Sequence, residues 1–173
     1  MNQLLDKMVL GALAGFSATL PMTATMERLH RRLPAAERYP LPPREISKDL
    51  PHAGLGSAGA TLLYHFVYGA AAGALFGFFC RRRDIGAGSC FGIGVWAASY
   101  LGWLPASRVL KPATAHPARR NTLMLAAHVV WGACLSLGLN ELERAAAQGF
   151  SAAGKPEPRL MDRTDAEGTP RHD

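Results

Sequence analysis

A histidine, an aromatic residue and a glycine recur in the order HFVYG, from His65 to Gly69, and HVVWG, from His128 to Gly132, each inside a long apolar run. An imidazole there can donate or accept one hydrogen bond at each ring nitrogen, take up a proton near neutral pH, or ligate a metal or a haem iron. Tyr68 and Trp131 each follow their histidine by three positions, which on a helix puts an O–H and an N–H on the same face as the ring. Glu27 closes the stretch PMTATME and adds a carboxylate. It can reach a histidine, pair with Arg28 or Arg31, or stand in solvent as a helix-end charge. His65, His128, Tyr68, Trp131 and Glu27 are therefore the candidate polar cluster.

Three chemistries fit this set. An ionisable group at membrane depth is costly, and function is its usual explanation, so a shared polar pocket that responds to protons is one. Neutral imidazole is among the cheaper polar groups to bury, and a bond to a hydroxyl or carbonyl of the next helix is a second, purely structural role. Bis-histidine ligation of haem, or association with a quinone, is a third; it requires two rings on opposite sides of a flat cavity, for which glycine faces could make room.

The remaining sequence adds little reactive chemistry. Ser89, Ser99 and Ser136 have no GxSxG context, and no paired carboxylates lie within the apolar runs. The three cysteines, Cys80, Cys90 and Cys134, form no CxxC and no disulfide spacing. The expectation is a protein that is not an enzyme, with no cofactor and no metal site. The net charge of +6 comes from loop arginines and lysines, as insertion topology and anionic headgroups would require, and nucleic acid is not an expected partner.

Elements that position the histidines are legible from charge. Residues 8–26, 55–80, 85–107 and 121–140 contain no Asp, Glu, Lys or Arg. Each run is long enough to cross a hydrocarbon core of ~30 Å at ~1.5 Å per residue. An all-α polytopic bundle of four transmembrane helices is expected, at about 8–26, 58–80, 85–104 and 122–146, with a long loop at 27–54 and a fold that ends near residue 148. A cleaved signal peptide is the alternative for the first run, but no small-x-small site follows it. The polar, proline-containing segment 149–173 cannot bury enough to fold and is expected to be disordered. Within the long loop, residues 43–50 suit a short interfacial helix, and YPLPPRE suits either an ordered lid or a plain connection.

Small residues then say how the helices meet. Gly11 and Gly15, Gly69, Gly73 and Gly77, Gly88 and Gly92, and Gly132 form stripes that allow close helix approach where lipid offers no hydrophobic drive. Pro21 can kink the first helix, with Thr19, Thr23 and Thr25 near enough to satisfy a freed carbonyl. The tight turn at Arg83–Asp84 makes the second and third helices expected antiparallel neighbours, and Arg81, Arg82 and Arg83 an expected topology anchor. Aligning the histidines sets HFVYGAAAG against HVVWGACLS, as in a duplicated helix hairpin with a pseudo-two-fold axis along the membrane normal. A match this short is also compatible with chance. Cationic residues divide almost evenly between the two sides; the short triple-arginine turn favours both termini in the cytoplasm.

With GALAGFSATLPMTATME, HFVYGAAAGALFG, a glycine-rich helix ending GWLP, and AAHVVWGA in hand, the layout over residues 8–145 resembles the YagU-like group of small bacterial inner-membrane proteins of unknown function. The resemblance implies a multi-pass protein of the cell inner membrane and supplies no catalytic residues. Lipid, and a second copy packed on a glycine face, are the expected partners. A non-enzymatic structural or accessory bundle is the leading expectation. A small transporter or proton-responsive protein is the alternative, and an electron carrier the lesser one.

Overall fold

A charge-free segment removed from water has to satisfy its own N–H and C=O groups, and the helix does this within one segment. The computed structural model describes residues 3–35, 38, 56–103, 106 and 117–153; the expected interfacial helix and lid, and the chain beyond 153, fall outside them. Four helices dominate: α1 (Gln3–Arg31), α2 (Ser57–Phe79), α3 (Ile85–Ala97, continued by a π-helical turn over Ala98–Trp103) and α4 (Ala118–Ala153). There is no strand among the described residues. Each of the four is long and apolar enough to cross a membrane, α3 when its continuation to Gly102 is included. The fold is an all-α four-helix bundle.

α1 and α4 overrun their apolar runs, because nothing in the flanking residues breaks them, whereas α2 and α3 stay within theirs. α4 starts on Pro117, whose carbonyl accepts from the Arg120 and Asn121 N–H groups, and continues through the helix-forming ELERAAAQ past Gly149. α3 starts where Asp84 Oδ1 accepts from the Ala87 N–H at 2.8 Å. It ends at Gly102, whose φ of −107° and ψ of −106° leave the helical region. α1 runs through Pro21 as one helix. The carbonyl that Pro21 frees belongs to Ser17, yet Thr19, Thr23 and Thr25 donate to the carbonyls of Gly15, Thr19 and Pro21 instead, each one turn back.

Close packing follows the order α2–α1–α4–α3. Here the expectation from the tight turn needs correction. α2 and α3 are joined by that turn but do not pack closely along their length. Their glycine faces are spent on other helices, and what remains between them is large: Tyr68 Oη meets Ser99 Oγ at 2.8 Å, and the Phe76 and Phe91 rings lie 5.0 Å apart. The core fills the space between α1 and α4 with Met22, Met26, Trp131, Leu135 and Leu139, capped by Phe76 from α2.

Arg83 is likewise more than a topology anchor. Its side chain is only 15% exposed; it donates to Glu143 Oε1 at 2.8 Å and to the carbonyls of Cys80 and Gly77. Asn140 Nδ2 donates to the Arg83 carbonyl at 2.7 Å. The turn between α2 and α3 is thereby clasped to α4. Arg81 and Arg82 remain exposed.

Candidate functional site

The glycines set the depth at which everything else sits. A Cβ at Gly15 would collide with the Gly69 carbonyl and Gly73 Cα, and one at Gly11 with the Gly73 carbonyl and Gly77 Cα. In the second hairpin a Cβ at Gly88 would strike the Gly132 carbonyl and Ser136 Oγ, and one at Gly92 the His128 carbonyl. Each hairpin thus brings two backbones into direct contact immediately beside its histidine, which only residues without a side chain permit.

His65 projects from α2 toward α1, where its Nδ1 lies 3.5 Å from Thr23 Oγ1. Thr23 already donates its only hydroxyl proton to the Thr19 carbonyl at 2.7 Å, so any bond between the two is donated by the ring and is long. His128 differs. It is 7% exposed, and its Nδ1 donates to the Met124 carbonyl one turn back at 2.7 Å. A carbonyl can only accept, so Nδ1 carries a proton, and in the neutral ring Nε2 carries the lone pair. The two imidazoles come from parallel helices of different hairpins.

The aromatic partners divide. Trp131 is buried, stacks on Phe91 and donates its Nε1–H to the Gly15 carbonyl at 3.2 Å, tying α4 to α1. Tyr68 turns the other way, toward α3 and Ser99. Ser99 Oγ donates to the Val95 carbonyl at 2.8 Å, so Tyr68 is the donor of their bond. Glu27 does not join this cluster: it pairs with Arg31 at 3.2 Å, with 55% and 78% of the two side chains exposed. Thr23 and Ser99 are the members that the histidine pattern misses; a hydroxyl within an apolar run that donates to the carbonyl one turn back keeps its oxygen free to accept from the next helix.

The glycine faces that could make room for a flat ring are occupied: Gly69 faces Thr19 Oγ1 and the Gly15 carbonyl of α1, and Gly132 faces the Gly88 backbone of α3. Cys80, Cys90 and Cys134 are free thiols. Among the described residues, no three His, Cys, Asp or Glu side chains gather as a metal-binding group would require. What the arrangement provides is one well-bonded imidazole, one loosely held imidazole, and two hydroxyl or indole links across helix seams. No family model, no curated protein and no solved structure matches this chain.

Proposed function

We propose that the chain is a multi-pass inner-membrane protein of the YagU-like type, whose role is that of a non-enzymatic structural or accessory bundle. The observation that carries this reading is the reciprocal glycine contact in both hairpins, which spends the space beside each histidine on backbone packing. His128 supports it, since its bonded nitrogen serves its own helix. Lipid is the surrounding partner. A second reading, a proton-responsive protein, is favoured by one observation: His65 is only partly buried and is held by a long, 3.5 Å contact to Thr23.

The test uses the full chain. Retention in the membrane fraction through a carbonate wash is expected, as is a featureless visible spectrum in detergent before and after reduction. The double variant His65→Gln/His128→Gln should melt at lower temperature while leaving proton flux into reconstituted vesicles unchanged. Flux lost with the melting curve intact would replace the structural reading with the proton-responsive one. A Soret band lost in the variant would make the protein a haem carrier.

A further inference from the structure

Along α1 and into the turn that follows it, Phe16, Leu20, Ala24, Arg28 and Arg32 recur at every fourth position, and all are exposed. They form one continuous ridge on the outside of the bundle, because Met22, Met26 and Leu29 turn inward to the core. The upper part of the ridge is apolar, with Phe16 48% and Leu20 61% exposed. Its lower part is cationic. The change falls between Ala24 and Arg28, about 6 Å apart along the axis at ~1.5 Å per residue.

The charges on this ridge are not equivalent. Arg31, on the neighbouring row, is neutralised by Glu27. Arg38 folds back to cap the helix, donating to the Leu33 and Arg31 carbonyls at 2.9 Å each. The guanidinium groups of Arg28 and Arg32 have no hydrogen bond or ion pair to any described residue. They line a surface concavity of about 490 Å³ together with Ala24, Glu27 and Arg31. Guanidinium groups bind phosphate through paired N–H donors, and basic residues just beyond an apolar span collect anionic headgroups.

We propose that the outer ridge of α1 binds an anionic phospholipid, with an acyl chain against Phe16, Leu20 and Ala24 and the headgroup phosphate held by Arg28 and Arg32. The source is a lipid and not free phosphate, because the cationic pair directly continues an exposed apolar surface. This rests on the membrane reading above.

Thermal unfolding of the detergent-purified full chain tests it, with phosphatidylglycerol, phosphatidylcholine of the same acyl chains, or inorganic phosphate added. Phosphatidylglycerol is expected to raise Tm by several degrees through preferential binding to the folded state, and the other two to leave it near the detergent value. Arg28→Gln/Arg32→Gln should abolish that rise without changing Tm in phosphatidylcholine. Arg81→Gln/Arg82→Gln, which removes the same charge at the opposite end, should keep it. Equal rises with both lipids, a rise with inorganic phosphate alone, no rise at all, or a rise that survives Arg28→Gln/Arg32→Gln would each overturn the site. So would a rise lost equally in both double variants, since that would report net charge. Loss of the protein in the carbonate wash would overturn the membrane reading, and the lipid site with it.

Discussion

The turn from His65 to Gly69 and the turn from His128 to Gly132 share a motif and a helical backbone, and they end in different surroundings. α4 lies between two close neighbours, α1 and α3, whereas α2 has α1 alone. His128 is accordingly buried with a 2.7 Å bond, while His65 is partly exposed with a 3.5 Å contact. Trp131 reaches inward to Gly15, and its counterpart Tyr68 reaches across an open seam to Ser99. A local motif fixes which atoms share a helix face; the number of helices pressing on that face decides what those atoms do. If the chain arose by duplication, the two copies have separated in role by position alone.

The hardest way to break this comparison is to remove what the copies have in common. Gly73→Val places branched carbons against Gly15, and Gly132→Val places them against Gly88. Overpacking costs typically ~1–3 kcal/mol even where side chains can yield. Here the opposing atoms are backbone, so both variants should reach or exceed the top of that range and melt early or fail to fold. Gly94→Val, which meets nothing within 4 Å, is the control and should melt close to the wild type.

Arg83→Gln comes next, because it unclasps the two hairpins without touching either motif. The charged bond to Glu143 is mostly buried, and its loss should cost about 2 kcal/mol in chemical denaturation. Glu27→Gln, which removes an exposed pair, should cost under ~0.5 kcal/mol. Equal losses would mean that the Arg83 clasp is no more buried in effect than a surface pair.

The histidines sharpen the comparison directly. His128→Gln should destabilise by about 1 kcal/mol, the net worth of one buried hydrogen bond, and His65→Gln by clearly less. Reversal of that order in melting experiments would show that the two environments are not as described. Tyr68→Phe is expected to have the smallest effect, a few tenths of a kcal/mol, since Ser99 keeps its own bond to Val95 and the phenol is partly exposed.

Much of this could be read before any coordinates. Charge-free runs marked four helices, and the placement of Gly11, Gly15, Gly69, Gly73, Gly77, Gly88, Gly92 and Gly132 marked faces able to lie close to another backbone. Those are local properties: helix formation follows from length and composition, and a face follows from a period of 3.6 residues. Nothing in them says which face meets which. The tight turn at Asp84 pointed to α2 and α3 as packed neighbours, and Arg83 looked like a charge left at a membrane edge.

Only the tertiary structure decided the order α2–α1–α4–α3, the partner of each glycine stripe, the inward turn of Arg83 onto Glu143 and the pairing of Glu27 with Arg31. The reason is steric and collective. Glycine faces of α2 and α3 are each satisfied by a different helix, so Tyr68, Phe76 and Phe91 are left to fill the seam between them. Chain connectivity brings two helices to the same turn; side-chain volume, summed over all four, determines which backbones may touch.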